Sequence, residues 1–200
     1  MVQKEYSAGA VKHSFWFLEF RKIIALLLDG TDMERIRQMS AGENIFSAPT
    51  AERAKQIFMT VSSRVRSLDE RFYRVFAESD VATQKIIALI SVMNTDALFF
   101  DFMYEVYREK LMLGSGAISD SDIRVFFKNK QVQSERAAGW QDCTLKRLGA
   151  CCKTFLTEAG IASRGKAGVT IVKPVPDALL EQCLIDNGME QFLHALTGVR

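Results

Sequence analysis

Ten cationic side chains fall between Arg124 and Lys173: Arg124, Lys128, Lys130, Arg136, Lys146, Arg147, Lys153, Arg164, Lys166 and Lys173. Only three acids, Glu135, Asp142 and Glu158, share that span, so fifty residues carry a net +7. The chemistry such a cluster supports is polyanion binding, because each lysine or arginine that meets a phosphate releases condensed counterions. Within it, Thr144, Lys146, Arg147 and Lys153 fall away from an apolar stripe at Leu145, Leu148, Cys152, Phe155 and Leu156 when the run is wound as a helix. Such a helix buries its stripe and presents a hydroxyl and cations on the other side, as a DNA-recognition helix must. Arg164-Gly-Lys166-Ala-Gly168 then supplies a basic loop suited to a second phosphate contact.

Catalytic chemistry has no comparable pattern. No phosphate-cradling glycine loop, nucleophile elbow or His-Glu-x-x-His run occurs. The two histidines, His13 and His194, stand far apart and in no motif, so histidine acid–base work is not expected. Four cysteines (Cys143, Cys151, Cys152 and Cys183) lack C-x-x-C spacing, and Cys151-Cys152 are expected as small buried hydrophobes of a helix. Asp96, Asp101 and Glu105, with Arg108, form an acidic strip. A carboxylate metal site in a helical bundle would want a Glu-x-x-His there, which is absent. The strip is expected instead to ion-pair with the basic third helical tract, 50–76, at the bundle interface. Trp140 is expected as a core or turn anchor. No enzyme activity, metal or cofactor is expected.

The elements that position these residues follow from composition and periodicity. Of 200 residues, 48% are hydrophobic and 25% charged, a balance that excludes a disordered chain. Twelve glycines and three prolines are few turn-formers, which favours long helices over many strands. A first helix spans about 14–28 and stops at Asp29-Gly30; Thr31 with Glu34 is a capping-box pattern for a short second one. A third tract runs from Thr50 towards Phe76, with Ala54, Ile57, Phe58, Val61 and Val65 inward and Arg53, Lys55, Arg64, Arg66, Arg71 and Arg74 outward. Helices near 80–94 and 96–113 are apolar over most of their circumference and form the expected centre of a first bundle.

Gly114-Ser115-Gly116 breaks the pattern, and two domains, 1–114 and 117–200, are expected on either side. Ser119 with Asp122 caps a helix through Ile123, Phe126 and Phe127; a short helix near 132–138, a Gly139-Trp140 turn and a helix near 142–159 follow. Gly168-Val-Thr-Ile-Val172 is the one strand signal, and helices from about Asp177 and Glu190 complete the chain. Helix, short helix, turn, helix, strand is the order of a winged helix-turn-helix. The expected fold is mostly α: two helical subdomains, the second winged-helix-like with a short β element.

The apolar stretch Ile86–Met103 is interrupted by Asn94, Asp96 and Asp101. Two carboxylates at mid-bilayer would each cost about 2.5–3.5 kcal/mol, so packed helices are expected rather than a membrane span. Met1-Val-Gln-Lys-Glu5 has no apolar leader, and a bacterial cytoplasmic location is expected.

Five stretches carry a resemblance: Phe20-Arg-Lys-Ile-Ile24, Asn44-Ile-Phe46, the run from Asn94 to Lys110, Trp140-Gln-Asp-Cys-Thr-Leu-Lys-Arg147, and Phe155-Leu-Thr-Glu-Ala-Gly160. With these the chain resembles, over nearly its whole length, the BrxA family, the small helical component of bacteriophage exclusion (BREX) defence systems. The resemblance implies a cytoplasmic, non-enzymatic, mostly helical protein that binds DNA beside other BREX components. It transfers no catalytic residues, so the expected DNA contacts are those of the charge map: Thr144 and the ten cations, less Arg136. Duplex DNA bound through phosphates, with low sequence specificity, is the first expectation. A protein-assembly module whose basic face meets an acidic partner, and an RNA-binding bundle using Arg53, Arg64, Arg66 and Arg71, stand as alternatives. The whole-chain charge is only +2, which leaves −5 outside the basic span. Position, not total, carries the information.

Overall fold

In the first half, local side-chain chemistry sets most helix boundaries. A computed structural model describes residues 5–199; Met1 to Lys4, where the sequence lacks an apolar leader, lie outside them. Helix α1 (Phe17–Leu28) buries Phe20, Ile23 and Ile24. It ends as the Thr31 N–H closes back on Leu26 O, with Gly30 in the left-handed region at φ 84°. Thr31 is thus engaged in ending α1, and the cap of α2 (Met33–Gly42) is the next residue, Asp32, whose carboxylate accepts from Arg35 N.

The expected third tract divides in two. Helix α3 (Ala51–Arg66), capped by Thr50, stops at Ser67, whose hydroxyl donates to Arg64 O; Asp69 then caps α4 (Glu70–Glu78). The apolar period runs through the break, and only the capping aspartate marks it. Helix α5 (Val81–Thr95) is buried nearly all round. At Asp96 the chain turns through 114° into α6 (Ala97–Phe102), which continues through a π-helical turn (Met103–Tyr107) into α7 (Arg108–Met112). Among the described residues no single helix is long and apolar enough to cross a membrane.

Gly114–Gly116 lies between α7 and strand β1 (Ala117–Ser119). Helix α8 (Asp120–Gln133) opens with the expected reciprocal capping box of Ser119 and Asp122. After it come α9 (Glu135–Ala138), α10 (Asp142–Glu158), β2 (Ala162–Gly165) and β3 (Gly168–Ile171). The strands form one antiparallel sheet in the order β1-β3-β2, with Ser119 opposite Gly168 and Arg164 opposite Val169. The basic loop of the sequence analysis is therefore the tip of the β2–β3 hairpin. Helices α11 (Ala178–Asp186) and α12 (Glu190–Thr197) close the described chain, α11 against α4 and α12 against the π turn and α7.

A mostly α fold with one small sheet results, and its core is continuous from Phe15 to Leu196. Aromatic edges tie the first half to the second: Phe99 to Phe155 at 5.2 Å, Phe102 to Phe126 at 5.5 Å and Phe100 to Phe192 at 5.1 Å between ring centres.

Gly168 is the tightest point of the sheet. Its φ is 144°, and a Cβ there would sit 2.1 Å from Ile118 O, a backbone atom that cannot yield without breaking the strand pair. Gly168→Ala is expected to destabilise the protein by about 3 kcal/mol. Gly42→Ala, a helical position with open space around it, should be neutral or stabilising by up to about 1 kcal/mol. Urea unfolding of the two variants checks the contrast.

Candidate nucleic-acid interface

Helix α10 buries Leu145, Leu148, Gly149, Cys152, Phe155 and Leu156 and exposes Lys146 and Arg147. The helical period therefore separates stripe from cations as expected. Helix α8 crosses it closely where Gly149 meets Ile123: a Cβ on Gly149 would come within 2.8 Å of Ile123 Cγ2. Beside this crossing runs an open groove of about 480 Å³, lined by Arg124 and Lys128 of α8, by Lys146 and Lys153 of α10, and by Asp120 and Asp142. Spacings of four and seven residues put each pair of cations on one face of its helix.

The groove's charges are only loosely held. Lys153 Nζ donates to Asp120 at 2.8 Å and Lys128 Nζ to Asp142 at 3.4 Å. Exposed pairs of this kind contribute about 0–1 kcal/mol, so an arriving phosphate can displace either acid. Arg124 and Lys146 have no ion pair among the described residues. The Asp120 N–H donates to Ala167 O at 3.0 Å, which joins the groove to the hairpin tip. There Arg164 and Lys166 are exposed, as is Lys173 beyond β3. Thr144 is half-buried in the first turn of α10, whose N-cap, Gln141, makes no side-chain cap bond. Arg136 stands apart on α9 and pairs with Glu5 at 2.6 Å.

Lys130 has a different setting from the other cations. Its side chain is 2% exposed, and its ammonium donates to Asp101 Oδ2 at 2.7 Å, Glu105 Oε1 at 2.6 Å and the Tyr6 hydroxyl at 3.1 Å. Tyr6 in turn donates to Asp101. Burial alone would lower the pKa of this ammonium; its bonds to Asp101, Glu105 and Tyr6 outweigh that and raise it. The acidic strip thus pairs with α8 rather than with the basic third helix. A signal for this was present: Lys130 continues the Ile123, Phe126, Phe127 stripe at helical spacing.

Asp96, the remaining acid, caps α6 by accepting from Phe99 N at 3.1 Å, and burial raises its pKa. Arg64, expected on an outer face, is 5% exposed; burial brings its pKa down to about 10, against an opposing pull from Asp96. Like Lys130, it falls on its helix's buried stripe. Of the other cations in the RNA alternative, Arg53 lies over the Trp16 ring at 4.9 Å, and Arg71 is bonded to Asp69 and Asn187. Arg66 is exposed. Arg53, Arg64 and Arg66 line three different clefts. Cys152 is buried as expected, Cys151 is half-buried with its Sγ 3.5 Å from Ala10 O, and Trp140 packs against the core.

The sequence matches the BrxA family model over residues 4–188. It is 36% identical over 176 residues to the BREX protein BrxA of Bacillus cereus (strain H3081.97), covering 88% of each chain. To the BREX protein BrxA of Escherichia coli O9:H4 (strain HS) it is 22% identical over 185 residues, covering 91% of this chain and 85% of the relative. The fold is similar to the crystal structure of an uncharacterized protein from Magnetospirillum magneticum, with a TM-score of 0.82 and 16% identity over 98% of this chain and all of that one.

Removing one partner of a fully buried ion pair costs about 3–5 kcal/mol. Because Asp101 and Glu105 keep some solvent access, Lys130→Met is expected to cost about 2–3 kcal/mol in urea unfolding. Lys128→Met, two residues away and exposed, should stay within about 0.5 kcal/mol.

Proposed function

The chain belongs to the BrxA family, and on that premise we propose that it is a non-enzymatic DNA-binding component of a BREX phage-defence system, gripping duplex DNA through its phosphates. The observation that carries the reading is the groove between α8 and α10, where Arg124, Lys128, Lys146 and Lys153 converge from two helices. Four cations on one concave strip match a backbone that repeats its charge along one line.

Three further features support it. The order α6–α7, β1, α8, the short α9, α10, β2, β3, with β3 central in the sheet, fits a winged helix with α10 as recognition helix and the β2–β3 hairpin as wing. Arg164 and Lys166 give the wing its cations, and Lys173 extends the strip. Finally, the N-terminus of α10 has no side-chain cap, so its first N–H groups remain available to a phosphate oxygen. On this reading residues 117–199 form the reading module and 5–114 its support. Lys130 anchors the module instead of touching DNA, and Arg136 lies on α9, outside the groove lining. Contacts of this kind carry little base information, so binding is weakly sequence-specific. The protein acts in the bacterial cytoplasm, beside other BREX components.

Fluorescence anisotropy with a labelled duplex tests the reading. With about five phosphates neutralised, log K is expected to fall against log salt with a slope near −4.5. Arg124→Ala/Lys146→Ala/Lys153→Ala should weaken binding by at least about tenfold and flatten the slope by about 3. A salt-independent affinity, or an unchanged triple variant, contradicts it. An RNA duplex of equal length serves as competitor: preference for RNA would favour the bundle's α3 face instead.

A further inference from the structure

A second cavity, of about 510 Å³, lies on the other side of the molecule's N-terminal arm. Its walls come from four distant stretches: the arm around Ser7 to His13, the outer face of α3, the corner between α5 and α6, and Phe155 of α10. The volume is within the range that holds metabolites, about 300–1,000 Å³. Glu5, Glu52 and Lys55 on its lining are exposed; what distinguishes it is the buried Arg64 near the half-buried Asp96, with no ion pair between them.

Arg64 has five N–H donors. Those of Nη1 donate to Ser14 O at 3.0 Å and Phe15 O at 2.8 Å, which fixes the arm. Among the described residues the three on Nε and Nη2 have no acceptor, yet they are not among the sealed polar atoms. They keep some solvent access, and Arg64 is part of the cavity lining. Holding two carbonyls does not require a charge, and Asp96 acts on the buried guanidinium only from beyond ion-pair distance, so its desolvation is incompletely offset. The rings of Trp16 and Phe155, at 6.0 and 5.8 Å, offset only part of that cost. Asp96 is half-buried on the same lining, and its carboxylate accepts from the Phe99 N–H, with the Leu98 N–H also in reach, at the start of α6. Thr60 and Ser63, on the cavity's α3 wall, have hydroxyls with no partner among the described residues.

We propose that this cavity is a binding site for a small organic anion that also carries an amino group. The free edge of the Arg64 guanidinium takes the carboxylate or phosphate in fork geometry, and Asp96 accepts from the amino N–H groups. Ligand binding offsets the part of the Arg64 desolvation that Asp96, without a direct ion pair, does not. The site is separate from the α8–α10 groove and does not depend on DNA binding, although the arm that walls it also packs on α10.

Isothermal titration calorimetry on the full chain, without DNA, tests the site with two probes of this chemistry, AMP and L-glutamate. At least one is expected to bind saturably at one per chain. Adenosine, which lacks the anion, and glutarate, which lacks the amine, should each bind at least about tenfold more weakly than their parents. Ser63→Trp, an exposed helical position on the cavity wall, should abolish binding without changing the melting temperature. Asp96→Asn, which retains a capping side chain, should weaken it by at least about tenfold. Failure of both probes to bind, or unchanged binding in Ser63→Trp, overturns the proposal and leaves the DNA reading untouched.

Discussion

A single buried ammonium joins the parts of this molecule that lie far apart in sequence. Lys130 extends from α8 between Asp101 and Glu105 of the α6–α7 helix and meets Tyr6 of the N-terminal arm. A buried cation needs its partners in place, so three chain segments are held in one relation or the charge is stranded. The aromatic contacts around it, Phe102 on Phe126 and Phe126 on Phe127, are edge-to-face pairs that add about 0.5–1.5 kcal/mol each. The ion-pair network adds the requirement that a buried charge keep its partners. It sets the angle at which α8, and with it one wall of the basic groove, leaves the core.

Charge therefore has two uses on neighbouring turns of one helix. Arg124 and Lys128 stay at the surface, where the side chains are solvated and their pairs are weak. Lys130, on the adjoining face, is consumed by structure. The net charge of +2 conceals this division just as it conceals the division along the chain. A functional count of cations has to subtract those that the fold has already engaged, here Lys130 within the basic span.

Local signals were legible in the sequence to within a residue or two. The Ser119–Asp122 capping box, the α10 stripe from Leu145 to Leu156 and the Gly168 strand are each marked by a residue pattern within one element. What escaped either has no such pattern or depends on distant partners. Strand β2, Ala-Ser-Arg-Gly, has no β-branched residue and exists because β3 pairs with it. The break in the third tract is hidden by an apolar period that runs straight through it. Lys130 and Arg64 sat on apolar stripes in plain view, but their partners lie 29 and about 50 residues away in sequence. A cation on a buried stripe is a sign of such a partner, and weighing it that way would have removed both from the list of surface charges.

The central claim is that DNA lies along the α8–α10 groove and the hairpin. Hydrogen–deuterium exchange with and without duplex DNA addresses it directly, because backbone protection maps the footprint without altering any side chain. The account predicts slower exchange at the start of α8, through the first turns of α10 and at the tip of the β2–β3 hairpin, with α2 and α3 unchanged. Protection confined to α1–α4, with none on α10 or the hairpin, would contradict it.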